Sequence, residues 1–213
     1  MLFPQKTQLN KILNKQQFCK LANLSPVSKN EINANAERIL LANVLRKDTI
    51  NIEGNVVKEI DVFEIKLKDK KYSDNLIKDI DANIPKHILF MLTYKDEAQI
   101  VITYKEKCAN SEKYKVLQIY KSKWQKTEDI KLEIKGLSLD KVFENFIEQI
   151  AEGRIEVAEE QTMKEAVEKS VANEKLQRKI IQLENKIKKE PQFNRQLELK
   201  KELKILKEQL VNI

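Results

Sequence analysis

Residues 59–69 read EIDVFEIKLKD, and the fold turns on how this stretch is taken. On a strand, residues i and i+2 share a face, so Glu64 and Lys66 point the same way. The stretch reads as a half-buried strand with charges on its wet side. It equally presents E-x-K, a spacing that metal-dependent nucleases place on a strand with acidic residues close by. Upstream, TINIEGNVVK supplies a partner strand, with Gly54-Asn55 as a tight hairpin turn because both residues tolerate positive φ. Further upstream, two segments read as helices. The second opens on Ser28-Lys-Asn-Glu31, an S-x-x-E capping box, and carries Ile32, Ile39, Leu40 and Val44 as its apolar face.

Downstream, SDNLIKDIDANIP is a short helix capped by Ser73 and ended by Pro85. HILFMLTY and AQIVITYKEK are strands joined across Lys95-Asp96-Glu97, and KYKVLQIYKSKW follows as another. Ile130, Leu132 and Ile134 alternate strictly and predict a further strand. LSLDKVFENFIEQIAEG is an amphipathic helix with Val142, Phe143, Phe146, Ile147 and Ile150 inward, closing near Gly153. Residues 1–153 therefore form an α+β domain, a mostly antiparallel sheet flanked by helices.

Past Gly153 the composition shifts to Glu, Lys, Gln and Leu, and residues 154–213 read as a helical arm. Leu176, Ile180, Leu183 and Ile187 recur at 4-3-4 spacing, and Leu199, Leu203, Leu206, Leu210 and Ile213 at 4-3-4-3, which are coiled-coil seams. Pro191 cannot sit inside a helix without losing a hydrogen bond and clashing with the preceding turn. The arm is thus a C-terminal helical hairpin turning near Pro191, with a weaker helical repeat over residues 157–173.

Composition removes several chemistries. With 3 Gly in 213 residues, neither G-x-G-x-x-G nor G-x-x-x-x-G-K-[ST] occurs. His87 is the lone histidine, so a Ser-His-Asp triad, a Cys-His pair or a multi-histidine zinc site would all have to use it, and nothing else marks it. Cys19 and Cys108 lack metal or redox spacing and suit reduced thiols in the cytoplasm. No apolar run reaches the roughly 18 residues that a membrane span takes. No cofactor, metal ligand or catalytic residue is expected from these residues.

The E-x-K motif fares poorly on register. With a turn at Gly54-Asn55, Asp48 lies opposite Asp61, three residues from Glu64, or roughly 10 Å, too far for one metal ion to be shared. Asp61 is also odd-spaced from Glu64 and faces the other way. A divalent-metal nuclease using Glu64 and Lys66 with Asp48 or Asp61 stays as the alternative.

The net charge of +7 is concentrated in the arm: residues 174–213 hold 11 Lys or Arg against 6 Asp or Glu, and the rest hold 29 against 27. Lys175, Lys179, Lys186 and Lys189 recur at helical spacing on the first arm helix, and Lys200, Lys204 and Lys207 on the second. Such rows keep a coiled coil soluble, and they also suit nucleic-acid phosphates, where each lysine releases counterions. The seam Leu199, Leu203, Leu206 and Leu210 suits a protein partner's helices. Two seams in one chain can also satisfy a second copy, giving a homodimer.

In order, AERILLANVLRKDTINI, EIDVFEIKL, IDANIPKHILFML, ITYK, the strand ending in Trp124 and KGLSLDKVFENFIEQI resemble an uncharacterised bacterial family of the gene neighbourhoods of type III restriction–modification and helicase-containing defence systems. The resemblance covers roughly residues 1–151 and brings no active-site residues. It implies company: a methyltransferase and a helicase–nuclease acting on DNA, with this chain as a non-enzymatic accessory.

Overall fold

The computed structural model describes residues 3–109, 113–155 and 161–211. They fall into two compact units, Met1–Arg154 and Ile155–Ile213. The first unit runs β1 (Gln8–Leu13), α1 (Lys15–Leu21), α2 (Pro26–Asn35), β2 (Ala36–Arg46), α3 (Lys47–Ile50), β3 (Glu59–Leu67), α4 (Asp74–Asn83), β4 (His87–Tyr94), β5 (Glu97–Lys107), β6 (Tyr114–Lys121), β7 (Gln125–Lys126) and α5 (Leu139–Ala151). Among the described residues the strands form a sheet in the order β1-β2-β3-β4-β5-β6, with β7 also paired to β5. Pairings are antiparallel except β3 with β4, which run parallel and therefore need a crossover, supplied by α4.

β3 lies between β2 and β4, and both its faces are used. Phe63, Ile65 and Leu67, with Ile88, Phe90, Leu92 and Val101 of β4 and β5, pack against Phe18, Ile32, Leu76, Ile77 and Ile80 of the helices. Alternation puts Val62, Leu89, Ile100 and Ile102 on the other face, where α5 crosses β5 and β6. Helices α2 and α4 cap one another. The Ser25 N–H donates to Asp79 at 2.8 Å, while the Ser73 N–H and hydroxyl donate to Glu31 at 2.5 and 2.6 Å.

Four expectations are corrected. The helix predicted from Ser28 through Val44 stops at Asn35; Ser25, not Ser28, is its cap, and Glu31 reaches Ser73 instead of closing a capping box. Ala36–Arg46 is strand β2, whose bulge between Leu41 and Asn43 breaks the alternation that would have revealed it. The first N-terminal segment is likewise partly strand, β1, before α1 begins. Gly54-Asn55 makes no hairpin: β2 pairs with β3 directly, Val44 lies opposite Asp61, and residues 51–58 form a loop without strand pairing. That loop wraps the Asp140 carboxylate, which accepts from the N–H groups of Asn55, Val56 and Val57 at 2.5, 2.8 and 2.9 Å. A Cβ on Gly54 would stand 2.2 Å from the Val57 carbonyl oxygen and 2.9 Å from Asp140 Oδ2, so the loop closes because that side chain is absent. Finally, residues 130–136 are extended without strand pairing. Gln149 of α5 supplies the partner instead, accepting from the Glu133 N–H at 2.9 Å and donating to its carbonyl at 2.8 Å.

In the second unit, α6 (Met163–Lys189) and α7 (Phe193–Val211) flank Pro191. A capping box opens α6: Glu165 N–H donates to the Thr162 hydroxyl at 3.3 Å, and Thr162 N–H donates to Glu165 at 2.9 Å. The two helices pack antiparallel, with Ile180, Leu183 and Leu199 buried and Lys207 on Glu184 at 2.8 Å. The last seam position, Ile213, and residues 157–160 lie outside the described residues. No helix among the described residues is long and apolar enough to cross a membrane.

Candidate functional site

The EIDVFEIKLKD strand presents two different sets of charges. On one face Glu64 meets Arg38 at 3.2 Å, and Lys66 meets Glu37 at 2.9 Å, both reaching across to β2. Asp48 stands in α3 beside Arg46, at 3.5 Å. Arg46 pairs with Glu59, five positions from Glu64 and thus about 17 Å along the strand. Asp61 faces the opposite side. Glu64 therefore gathers neither acid around itself, and no trio of His, Cys, Asp or Glu among the described residues is placed to hold a metal ion.

On the other face, Glu59 and Asp61 share one side of β3 with Lys86, whose ammonium is bonded to Glu59 and lies 3.5 Å from Asp61. Arg46 adds a contact to Glu59 at 3.7 Å. Asp61 is 3% exposed, and its Oδ1 has no hydrogen-bond partner. Burial, helped by the facing Glu59 carboxyl, pushes Asp61 up to about 7 against the pull of Lys86. Burial would raise Glu59 too, yet hydrogen bonds from Lys86 and Asp61 hold it below the ordinary range. The two carboxyls therefore titrate as a pair, with Asp61 the one pushed toward holding its proton below about 7.

Next to it lies a fully buried ion pair that the sequence reading missed. Lys105 Nζ donates to Asp81 Oδ1 at 3.0 Å and to the carbonyls of Asp81, Ile84 and Lys86 at 2.7, 2.8 and 2.6 Å, while the Thr103 hydroxyl donates to Asp81. The ammonium thus gathers carbonyls freed at the C-terminal end of α4. A signal was available: Asp81 follows Leu76, Ile77 and Ile80 on the buried stripe of α4, where a carboxylate must have a partner. His87 stacks edge-on against Phe143 at 4.6 Å, and burial with the Lys105 charge pushes it down to about 4. Lys105, Asp81 and Thr103 are turned on one another within the fold.

The arm differs. Leu199 is buried and Leu203, Leu206 and Leu210 are half-buried on the side of α7 that meets α6. Lys175, Lys179, Lys186, Lys189 and Lys200 form no ion pair among the described residues; Lys204 lies 3.9 Å from Glu208, and Lys207 holds Glu184. Helical residues two apart point about 200° apart. Lys186 is two from Glu184, so the row Lys175, Lys179 and Lys186 occupies the flank away from the Glu184–Lys207 contact. Lys200 and Lys204, seven and three residues before Lys207, share its flank. The two lysine rows stand on opposite sides of the hairpin.

No curated protein and no solved structure matches this chain. A family does, over residues 1–210, so the helical pair lies inside the matched region. The chain belongs to the domain-of-unknown-function family DUF4391.

Proposed function

We propose that the chain is a non-enzymatic accessory, or adaptor, of a bacterial DNA restriction or anti-phage defence system, docking through its helical arm onto a methyltransferase or helicase–nuclease subunit. The observation that carries this reading is exposed apolar surface on the arm, beside lysines without an ion pair among the described residues. The sheet unit also exposes Leu9, Ile12, Leu21, Val27, Val56 and Leu137, but spread over several elements. In the sheet unit Glu59, Asp61, Glu64 and Lys66 of EIDVFEIKLKD are matched to neighbours within the fold. On the arm, Ile181, Phe193 and Leu197 are large apolar side chains left exposed, beside lysines without partners. Apolar side chains gathered on an exposed helical pair are what a partner protein would cover. The lysine rows can also lie along DNA phosphates, a contact that weakens steeply with salt.

The test is co-expression of the full chain with a methyltransferase and with a helicase–nuclease encoded beside it, followed by size-exclusion chromatography with light scattering. Co-elution with one of them is expected, and it persists in Glu64→Ala. The reading falls if neither co-elutes and the chain alone cleaves DNA with Mg²⁺ in a manner abolished by Glu64→Ala.

A further inference from the structure

The flank of the hairpin that carries the Glu184–Lys207 contact has its own pattern. Along α7, Phe193, Leu197, Lys200, Lys204 and Lys207 recur at 4-3-4-3 spacing, a second heptad row beside the leucine seam. Along α6, Ile181, Glu184 and Lys188 recur at 3-4 spacing on the same flank. Phe193 is 69% exposed, Leu197 42% and Ile181 57%. The Glu184–Lys207 contact marks this flank on both helices, and Lys188, four residues beyond Glu184, stands on it toward the Pro191 end. Lys188, Lys200 and Lys204 therefore share a flank with three uncovered apolar side chains; Glu184 is already taken by Lys207, and Lys204 lies 3.9 Å from Glu208. The opposite flank, with Lys175, Lys179 and Lys186, has Ile205 as its exposed large apolar residue, two positions from Lys207 and so turned away from it.

We infer that this flank is the docking face of the arm and that its occupant is an acidic amphipathic helix of a partner protein, lying in the groove between α6 and α7 to complete a three-helix bundle. The inference rests on the adaptor reading and specifies its surface. Heptad spacing is what a packing helix reads, and apolar positions at the tip followed by lysines call for a helix with apolar residues at one end and carboxylates over the next turns. A phosphate backbone would match the lysines but has nothing to cover Phe193 and Leu197. An anionic bilayer would want a broader apolar face than three side chains.

The probe is a synthetic amphipathic peptide of about three heptads, with leucines at its seam positions and glutamates beside them, and a twin carrying lysines in place of the glutamates. Anisotropy titrations against the full-length protein are expected to show binding of the acidic peptide and not of the basic one. Leu197→Asp is expected to weaken binding by about tenfold or more. Lys200→Glu with Lys204→Glu is expected to reverse the preference toward the basic peptide, which a merely unfolded arm could not do. Lys175→Glu with Lys179→Glu, on the other flank, is expected to leave it unchanged. Equal binding of both peptides, or insensitivity to Leu197→Asp, overturns the inference. So does binding of duplex DNA or phosphatidylserine vesicles without binding of the acidic peptide, or self-association in light scattering that Leu197→Asp abolishes. If a methyltransferase or helicase–nuclease still co-elutes with the Leu197→Asp, Lys200→Glu, Lys204→Glu triple variant, the docking face is wrong while the adaptor reading stands.

Discussion

In the sheet unit Lys66, Lys86 and Lys105 each meet a carboxylate on a neighbouring element, whereas in the helical pair Lys188, Lys200 and Lys201 meet none among the described residues. Both regions are lysine-rich. What separates them is the geometry of opposition. A strand in mid-sheet has a neighbour on each side at about 5 Å, so its charges find partners by register. A two-helix hairpin opposes one stripe of each helix and leaves the flanks to solvent or to a third body. Charge in the first unit maintains the fold, and charge in the second is available.

The contrast breaks most visibly if Lys105 is dispensable. Lys105→Met leaves Asp81 buried without its cation, and the expected loss is about 3–5 kcal/mol in urea unfolding. A loss below about 1 kcal/mol would mean the buried pair is not structural. Asp140→Ala, which orphans three N–H groups of the loop at residues 55–57, is expected to cost about 2 kcal/mol. The same measurement checks it, with Gly54→Ala as a second route to opening that loop.

The pH dependence sharpens the comparison further. Unfolded, Asp61 releases its proton near 3.8, and folded only at about 7. The folded state holds the extra proton across that window, so this group removes stability as pH rises from about 4 to 7. His87 acts in the other sense: unfolded it binds a proton below about 6.5 and folded not until about 4, so it removes stability as pH falls through that range. The two nearly cancel. The joint contribution of Asp61 and His87 is expected to change little between about pH 4 and 6.5. Asp61→Asn is expected to expose a curve that falls toward acid and to stabilise the protein above pH 7 by on the order of 2 kcal/mol, after allowing for its lost contact with Lys86. Parallel curves for the variant and the natural chain would show that Asp61 is ionised throughout. At the small end, Glu64→Ala removes a half-exposed pair with Arg38, and a change within about 1 kcal/mol is expected in the same unfolding assay.

Strict periodicity made much of the fold legible. HILFMLTY, AQIVITYKEK and the helices capped by Ser73 and Ser138 stand where their spacing puts them. The failures have local causes. Ile32, Ile39, Leu40 and Val44 fit a helical stripe as well as a bulged strand, and the bulge at Leu41–Asn43 removes the one cue that separates the two. Ile130, Leu132 and Ile134 alternate like a strand because Gln149 ties the segment with a side-chain amide where a neighbouring backbone would stand. The Asp81–Lys105 pair was hidden because a spacing of 24 residues says nothing of contact, although Asp81 on an apolar stripe announced that a cation was needed. On the arm, the leucine and lysine rows were plain, but which flank each occupies follows from the Glu184–Lys207 contact, which fixes how the helices are rotated.

The mutual capping of α2 and α4 has a kinetic consequence. Each helix carries its own serine cap, and the N–H of that serine is held by a carboxylate of the other helix, across 42 and 54 residues of chain. Each start is completed by the other helix, so the two are expected to consolidate together, after the intervening strands have brought them side by side. Helix formation in this half of the molecule then reports on sheet assembly instead of preceding it. Backbone amides at the starts of both helices should gain protection from hydrogen exchange in one step, and in Glu31→Ala that step should slow for α2 as much as for α4.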